Sequence, residues 1–332
     1  MSATFNALVL DRNEDKRIRA AIQPLSLADL PDEDVLVDVA YSTVNYKDGL
    51  AVTGASPIAR KFPMVGGIDL AGVVAESRDP RFQPGDRVLV NGYGLSERHW
   101  GGYSQRQKLK PEWLVRVPDA FSLEEAMAIG TAGYTAMLCV QAIRDWGVKP
   151  DAGPVVVTGA AGGVGTVAIM LLAKLGYQVC AATGRVEEAR PLLERLGAAE
   201  LISRSELARD PAPLETERWA AAVDTVGANT LASVIAQTRY EGIVAACGLA
   251  GGAGLPTTVM PFILRGVTLR GIDSVMAAQP RRQRAWDELA QLVDRDLLRA
   301  IYRVEPLARV PELAKAILAG QVQGRVVIDV NA

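Results

Sequence analysis

The chain has 332 residues, of which 49% are hydrophobic and 22% charged, and its formal net charge is −2. This length favours two domains, and the near-neutral charge argues against nucleic acid as the main partner. The sequence shows no basic N-terminal segment with a cleavage site and no apolar run near the length of a membrane span. We therefore expect a cytoplasmic protein without membrane contact.

The first part of the chain, up to about residue 117, is rich in predicted strands. Its β-branched segments are short and bounded by Gly, Pro and Asp turns. They lie at residues 7–10, 35–39, 68–74 and 87–90. Pro84-Gly85-Asp86 is a turn signal directly before the last of them. This pattern is typical of an all-β, barrel-like domain.

Helical periodicity begins after Ser122, which can cap a helix with Glu125. A second apolar helix is predicted over 131–146, and strands and helices then alternate to about residue 274. The predicted strands are 155–158, 178–182, 200–202, 221–226, 242–247 and 267–271, and the helices between them include 187–196 and 229–238. This alternation predicts a parallel sheet covered on both faces.

The last part of the chain is predicted to contain a helix over 280–298, a helix over 311–319 and a strand over 325–330. We expect this part to pack back onto the first domain. The predicted domains are a catalytic domain over 1–128, a dinucleotide-binding domain over 129–276 and a C-terminal return over 277–332.

A glycine-rich turn follows the strand predicted at 155–158. Gly162, Gly163 and Gly165 carry no Cβ, so backbone can approach a phosphate, and the following helix offers its unpaired N–H groups to the anion. In a G-x-G-x-x-G frame the first position is Ala160, so the match is incomplete. The layout still predicts a dinucleotide pyrophosphate site.

The end of the next strand indicates which dinucleotide is bound. A fold that holds NAD usually places a carboxylate there to bond the ribose 2′-hydroxyl, whereas a nearby arginine suits the 2′-phosphate of NADP. This chain has Thr183 at that position, followed by Gly184 and Arg185. Because no carboxylate repels the phosphate, we predict NADPH as the cofactor. The alternative is an ordinary turn with a solvated arginine.

The cysteines and the histidine argue against a metal site. Cys139, Cys180 and Cys247 lie far apart, and none forms a C-x-x-C pair or lies near His99. Zinc requires three or four Cys, His or carboxylate ligands from a compact set, so we expect no metal. We interpret the thiols as reduced core residues and His99 as a loop side chain.

Several segments together resemble the medium-chain dehydrogenase/reductase family. Gly85-Asp86-Arg87-Val88, Gly101-Gly102-Tyr103 and the glycine loop carry a resemblance that covers essentially the whole chain. It implies an α/β protein with a GroES-like, β-rich catalytic domain and a Rossmann domain with a doubly wound parallel sheet. More specific segments are similar to the NADPH-dependent acrylyl-CoA reductase family of the quinone-oxidoreductase branch. These are residues 44–48, 79–82, 129–139, 224–227, 245–251 and 255–264.

The resemblance also bears on zinc. In the zinc alcohol dehydrogenases of this family, a Cys and a Gly-His-Glu segment supply metal ligands. The corresponding places here are residues 45–48 and Gly67-Ile68-Asp69. The resemblance is therefore to the zinc-free members.

The family resemblance implies the site residues one by one. Tyr46 matches the tyrosine beside the nicotinamide and is the implied catalytic residue; the alternative is a structural tyrosine at a strand end. Arg204 is a second candidate for the 2′-phosphate, or a surface arginine, and Arg325 lies where related enzymes often place a cationic cofactor contact. The implied cofactor-binding residues are Tyr46, Ala161, Gly162, Gly163, Val164, Thr183, Gly184, Arg185, Arg204, Leu249, Leu264, Ser274 and Arg325.

The implied reaction is the reduction of a short enoyl-CoA, with acrylyl-CoA becoming propionyl-CoA. Without a metal, a conjugated enoyl thioester is a natural target, because hydrogen-bond donors can stabilise the enolate that forms when hydride adds to the β-carbon. The α-proton comes from Tyr46 or from water. The alternatives are a zinc-free quinone or enone reductase and a non-catalytic NADPH-binding protein.

Two further expectations concern binding surfaces. Arg60-Lys61 and Arg281-Arg282 with Arg284 are the cationic runs nearest to what CoA phosphates require, but a solvated surface is the commoner meaning of such runs. We expect a homodimer that is joined by edge pairing of the strand near 267–272.

Overall fold

The computed structural model describes residues 4–13, 15 and 17–332, which form two compact units. The β-rich unit extends to Thr131 and includes Ser274–Ala290 and Leu298–Ala332. The parallel-sheet unit comprises Ala132–Asp273 and Gln291–Leu297. The predicted α/β class is confirmed. The predicted domain boundaries after residues 128 and 276 stay predictions, and contacts place 291–297 with the parallel-sheet unit.

In chain order, the strands are β1 (Thr4–Arg12), β2 (Ile18–Ser26), β3 (Val35–Thr43), β4 (Met64–Val65), β5 (Asp69–Ser77), β6 (Arg87–Asn91), β7 (Arg106–Leu109), β8 (Val115–Arg116), β9 (Val155–Thr158), β10 (Val179–Thr183), β11 (Ala198–Ser203), β12 (Trp219–Asp224), β13 (Thr238–Ala246), β14 (Thr268–Gly271), β15 (Tyr302–Pro306) and β16 (Arg325–Asp329). The α-helices are α1 (Tyr46–Thr53), α2 (Leu123–Trp146), α3 (Gly163–Lys174), α4 (Val186–Arg195), α5 (Ala228–Gln237), α6 (Met260–Arg265), α7 (Gln279–Leu292), α8 (Arg295–Ile301) and α9 (Val310–Leu318).

The β-rich unit is built from two sheets. One has the order β2-β1-β4, and the other has the order β15-β16-β3-β5-β6-β8, with β7 also paired to β3. The C-terminal strand β16 pairs antiparallel with β3, with Val327 opposite Thr43, so the end of the chain completes this sheet. The core between the sheets is apolar and includes the buried side chains of Leu8, Val37 and Leu70. Burying these side chains stabilises the unit.

The parallel-sheet unit has the strand order β11-β10-β9-β12-β13-β14, and every neighbouring pair is parallel. The order runs outward from β9 in one direction and then from β12 in the other. This is the doubly wound Rossmann order, in which ligands bind beyond the carboxyl ends of the strands at the reversal. The strands are buried on both faces, since every residue of β9, β10 and β12 is buried.

Helix α2 begins and bends where the sequence predicts. The backbone N–H of Glu125 donates to Ser122 Oγ at 3.1 Å, and that of Ser122 donates to Glu125 Oε2 at 3.0 Å, which confirms the capping box. Gly130, with φ 50° and ψ −160°, separates the first helical turns from the predicted 131–146 helix.

The expectation of no apolar run near membrane length is wrong for this helix. Leu123–Trp146 is long and apolar enough to cross a membrane, but 94% of its most apolar window is buried inside the protein. It is therefore packed as a core helix.

The prediction of a single helix over 280–298 is also wrong. The structure has α7 up to Leu292 and a separate α8 from Arg295. Between them Asp294 Oδ1 accepts the backbone N–H groups of Asp296 at 2.9 Å and Leu297 at 3.1 Å. An aspartate that accepts such N–H groups starts a new helix rather than continuing the old one.

Candidate active site

The glycine loop connects β9 to α3 and is tightly packed. Gly159 has φ +60°, and a Cβ there would lie 2.2 Å from Thr225 Oγ1. A Cβ at Gly165 would lie 2.5 Å from the carbonyl oxygen of Gly159, so the helix approaches the loop more closely than any other residue permits. The predicted residues Ala161 to Val164 occupy this loop and the first turn of α3. Backbone N–H groups in a first helical turn have no intrahelical acceptors, which suits an anion.

A hydrogen-bond network links the carboxyl ends of β9 and β12. Thr158 Oγ1 donates to Asp224 Oδ1 at 2.7 Å, and the backbone N–H of Gly227 donates to Asp224 Oδ2 at 2.8 Å. Burial raises the pKa of Asp224, while these hydrogen bonds oppose the shift. No role was predicted for Asp224 from the sequence. Its bonds hold together the two strands where the sheet order reverses.

Thr183, Gly184, Arg185 and Arg204 lie together at the neighbouring strand ends. A Cβ at Gly184 would be 3.2 Å from Arg204 Cζ, so the guanidinium of Arg204 packs over this glycine. The backbone N–H of Arg185 donates to Thr183 Oγ1 at 3.3 Å. Among the residues that the structure describes, neither arginine side chain has a hydrogen bond or an ion pair. Two unpaired arginine side chains at neighbouring strand ends are suited to a phosphate, and their contact with one stays a prediction.

Two serine hydroxyls extend this cluster and were missed in the sequence. Ser203 Oγ and Ser205 Oγ lie 2.8 Å apart at the start of the short turn that contains Arg204. Serine hydroxyls can donate hydrogen bonds to a phosphate. No sequence signal marks them, since serine at a strand end is common in turns.

Leu249 and Leu264 both belong to the parallel-sheet unit and are 56% and 55% exposed. Leu249 follows β13 in a loop that packs closely on the turn after β12, because a Cβ at Gly248 would lie 2.2 Å from the carbonyl oxygen of Thr225. Leu264 lies in α6. Their contact with the nicotinamide side of a cofactor stays a prediction.

Tyr46 is the first residue of α1 in the β-rich unit. Asn45 precedes it as the N-cap residue, and its backbone N–H donates to Asp48 Oδ2 at 2.9 Å. Tyr46 is 38% exposed, and the next residue, Lys47, forms an ion pair with Glu97. The catalytic candidate therefore stands on a capped helix end with its phenol accessible.

A buried carboxylate lies directly behind this helix end. Asp69 Oδ2 accepts Asn45 Nδ2 at 2.8 Å and the backbone N–H of Thr131 at 3.0 Å, while Asp69 Oδ1 accepts Asn91 Nδ2 at 2.8 Å and the Thr131 hydroxyl. Asp69 has no exposed surface. Such a charge is tolerated in the interior only because its oxygens are fully hydrogen-bonded.

Arg325 supplies the compensating positive charge. Its guanidinium donates from Nη2 to Thr43 Oγ1 at 2.8 Å, from Nη1 to Asn45 Oδ1 at 3.2 Å and from Nε to the carbonyl of Ala128 at 2.9 Å. It is 3% exposed, and burial lowers its pKa, which Asp69 and Asp48 counteract. The predicted cofactor contact of Arg325 stays a prediction. The structure shows its three nitrogens engaged by protein acceptors.

Asp48 is the second carboxylate of this cluster. Its Oδ1 accepts the backbone N–H of Ile68 at 3.0 Å. Burial, followed by the charge of Asp69, raises the pKa of Asp48 to about 7. Asn45 bonds both carboxylates through one amide group.

Ser274 is half-buried in the β-rich unit. Its carbonyl oxygen accepts Arg282 Nη2 at 3.3 Å, and Arg282, which is fully buried, lies 4.2 Å above the ring of Tyr93. This fixes the backbone at Ser274 and leaves its predicted cofactor contact to be tested. Arg282 is therefore a structural residue and not a surface cation.

The segments that the resemblance matches to the zinc-ligand segments are residues 45–48 and 67–69, and within them Asn45 and Asp69 are hydrogen-bonded to each other. Within residues 4–13, 15 and 17–332, no group of three or more His, Cys, Asp or Glu is placed to hold a metal. Cys139 and Cys180 are buried and form no disulfide in the described part of the chain, and burial raises the pKa of Cys180 to about 12. His99 packs edge-on against Trp113 at 4.7 Å. The expected absence of a metal stays a prediction.

A β-rich unit whose sheet is completed by the C-terminus, together with a Rossmann sheet that carries a glycine loop and an arginine pair, defines a dinucleotide-dependent oxidoreductase. The chain belongs to the medium-chain dehydrogenase/reductase family. Residues 31–119 match the family described as alcohol dehydrogenase GroES-like domain, and residues 163–295 match the one described as zinc-binding dehydrogenase.

Two curated relatives narrow this class. The acrylyl-CoA reductase AcuI of Ruegeria pomeroyi is 53% identical over 99% of this chain and 100% of its own length. The putative quinone oxidoreductase YhfP of Bacillus subtilis is 43% identical over 99% of both chains.

Solved structures agree with this placement. The yhdH oxidoreductase of Salmonella enterica, crystallised in complex with NADP, has a TM-score of 0.95 and 50% identity, over 98% of this chain and 99% of that chain. The Bacillus subtilis protein yhfP, crystallised with NAD bound, has a TM-score of 0.94 and 43% identity, over 99% of this chain and 100% of that chain.

Proposed function

We propose that the chain uses NADPH to reduce the C=C bond of a short enoyl-CoA, with acrylyl-CoA becoming propionyl-CoA. The main observation in favour of this substrate is the 53% identity to an acrylyl-CoA reductase over essentially the full length of both chains. The fold and the glycine loop suit a dinucleotide cofactor, which supports a hydride-transfer reaction of this kind.

The parallel-sheet unit fits NADPH. The loop of Ala161, Gly162, Gly163 and Val164 presents backbone N–H groups for the pyrophosphate. Arg185 and Arg204 are unpaired among the described residues and suit the 2′-phosphate, which NADH lacks. The complex of the Salmonella enterica relative with NADP supports this choice.

NADPH, when bound, supplies the hydride that adds to the β-carbon of the enoyl thioester. The residues of this chain then have two tasks: to stabilise the charge that develops on the thioester oxygen and to deliver a proton to the α-carbon. Tyr46 takes the place beside the nicotinamide that the family resemblance implies. Its exposed phenol can donate a hydrogen bond, and the proton comes from Tyr46 or from water.

We propose that the reaction needs no metal. The segments that the resemblance matches to zinc-ligand segments contain Asn45 and Asp69, whose polar atoms are engaged with each other and with Arg325, Thr131 and Asn91. An amide and a carboxylate that satisfy each other are poor competitors for zinc, which prefers thiolate and imidazole ligands.

A quinone or enone reductase is the second candidate, and it is favoured by the 43% identity to the putative quinone oxidoreductase YhfP. Anaerobic NADPH oxidation with acrylyl-CoA, crotonyl-CoA and simple quinones separates the two. We expect the highest kcat/KM with acrylyl-CoA. A strong preference for quinones would establish the second candidate, and no turnover with any acceptor would favour a non-catalytic NADPH-binding protein.

We further propose a cytoplasmic homodimer. Strand β14 lies at the open edge of the parallel sheet, and an exposed edge invites pairing with a second copy. The two copies would then be joined through their β14 strands.

A further inference from the structure

A set of cations surrounds His99 on the β-rich unit, and we name it the basic patch. It consists of Arg60, Lys61, Arg98 and Lys110. The segment after β6 folds back on itself, since the backbone N–H of Ser96 donates to the carbonyl of His99 at 2.8 Å. The backbone N–H of Arg60 donates to the carbonyl of Glu97 at 2.8 Å, which joins the first two cations to this loop.

Aromatic rings form the floor of the patch. The rings of His99 and Trp113 lie 4.7 Å apart in an edge-to-face contact, and Lys110 Nζ is 5.4 Å from the centroid of the Trp113 ring. Trp113 is buried, whereas His99 and Lys110 are half-buried. The rings therefore hold Lys110 in place and give the patch a rigid base.

The positive charges of the patch are not neutralised by the protein. None of its four side chains has an ion pair with a carboxylate within the described part of the chain, and Arg60, Lys61 and Arg98 are exposed. Glu97, the acid of the same loop, is paired with Lys47. Burial lowers the pKa of His99, and the nearby positive charges of Lys110, Lys61 and Arg98 lower it further. Concentrated, unpaired positive charge attracts a polyanion.

The patch is tied to the catalytic candidate. Glu97, which precedes Arg98, forms its ion pair with Lys47, the residue that follows Tyr46 at the start of α1. The cations therefore lie on the same unit as Tyr46 and are linked to its helix. An acyl-CoA likewise carries its negative charge apart from its reactive group, since a flexible pantetheine arm separates the thioester from a diphosphate and a 3′-phosphate.

The second cationic run of the sequence does not compete for this role. Arg282 is fully buried and donates to the carbonyl of Asn91 at 2.7 Å, while Arg284 bonds Glu288 at 2.9 Å. Two of its three cations are committed to the protein, which leaves only Arg281.

We propose that the basic patch binds the phosphate groups of the substrate's CoA moiety, with Lys61, Arg98 and Lys110 as the principal contacts. This proposal rests on the proposed enoyl-CoA reductase function. It makes the patch a determinant of substrate affinity and not of the chemical step.

The test compares acrylyl-CoA with acrylyl-pantetheine, which keeps the thioester and the arm but lacks the phosphates. The variant K61Q/R98Q/K110Q should raise KM for acrylyl-CoA by about tenfold or more with kcat unchanged, because each lost charge-assisted contact weakens binding. KM for acrylyl-pantetheine should not change, which also shows that the variant is folded. In the wild type, KM for acrylyl-CoA alone should rise steeply with salt.

A matched control removes three cations elsewhere on the same unit. Arg303 lies in β15, at the sheet edge opposite β8. Arg309 directly precedes α9, and Lys315 lies within it. The variant R303Q/R309Q/K315Q should leave both KM values unchanged.

Three results would overturn the patch while leaving the enoyl-CoA function intact: equal wild-type KM for both thioesters, an unchanged KM for acrylyl-CoA in the patch variant, or an equal loss with both thioesters. A wild type that oxidises NADPH with quinones but with neither thioester would instead refute the proposed function, and the patch assignment with it.

Discussion

The side-chain amide of Asn45 donates a 2.8 Å hydrogen bond to the carboxylate of Asp69, and both residues are buried. The bond joins the N-cap of the helix that begins with Tyr46 to the first residue of β5. Arg325, near the end of the chain, completes the contact by donating to the other end of the same amide. The position of Tyr46 therefore depends on a polar network in the interior of the β-rich unit.

Replacing Arg325 with methionine should destabilise the protein strongly. The change removes the buried cation that counteracts the charges of Asp69 and Asp48, and leaving a buried charge uncompensated in this way costs about 3–5 kcal/mol. Chemical denaturation followed by tryptophan fluorescence measures the loss. Arg303→Met is the control: it removes an exposed partner of Glu305, so we expect a change of about 1 kcal/mol or less.

The same variant tests the predicted cofactor contact of Arg325. If the side chain acts only within the protein, KM for NADPH should match the wild type at temperatures where the variant is folded. A raised KM for both NADPH and NADH in a folded variant would contradict a role of Arg325 that is confined to stability.

Much of this fold could be predicted from the sequence, because the parallel strands are buried on both faces and their apolar runs are unmistakable. The strand predicted at 155–158 has the bounds of β9. Strand β2 was missed, since all of its residues are exposed or half-buried, and buried and exposed positions do not alternate along it. The break between α7 and α8 depends on one capping aspartate inside a helical pattern.

The candidate site divides in the same way. The glycine loop and Arg185 could be identified as candidates in the sequence, because backbone sterics and charge dictate residue types over a short stretch of chain. The network of Asn45, Asp69 and Arg325 could not be predicted, since Asn45 and Arg325 are 280 positions apart and only the folded sheet brings them together. The same holds for Lys61 and Lys110, which are far apart in the sequence and both lie near His99 in the fold.

Asp48 should make stability depend on pH. Its pKa is raised to about 7 in the folded state, against about 4 in an unfolded chain, so the folded state binds more protons between these values. Its contribution is complete below pH 4 and is lost as the pH rises to 7. The free energy of unfolding of the wild type, minus that of Asp48→Asn, should fall by up to about 1.4 kcal/mol per pH unit over this window.

Urea unfolding at intervals between pH 4 and pH 8 measures this difference. Asp119→Asn, which removes an exposed carboxylate of the same unit, should give a flat difference curve. A flat curve for Asp48→Asn as well would show that Asp48 is ionised in the folded protein throughout the range.

Replacing Arg185 with alanine should weaken NADPH selectively. Loss of one charge-assisted bond to the 2′-phosphate costs about 1.5–3 kcal/mol, which corresponds to a rise in KM of about 10- to 150-fold. NADH lacks that phosphate, so its KM should stay close to that of the wild type. Steady-state kinetics with both cofactors decide the matter, and equal losses would refute the assignment of this arginine.

The proposed homodimer can be tested at the edge of the parallel sheet. Gly271→Pro removes an outward-facing backbone donor from the open edge strand β14, because the N–H of the next residue, Ile272, donates to Ala246 of β13 and neighbouring residues of a strand face opposite edges. A proline is tolerated at such a position within one chain but blocks pairing with another. Sedimentation at micromolar concentration should show twice the chain mass of 35.4 kDa for the wild type and a shift towards the monomer for the variant. Leu201→Pro makes the same change at an outward-facing donor of β11, at the opposite edge, and should remain dimeric. A monomeric wild type, or equal dissociation of both variants, would contradict pairing through β14.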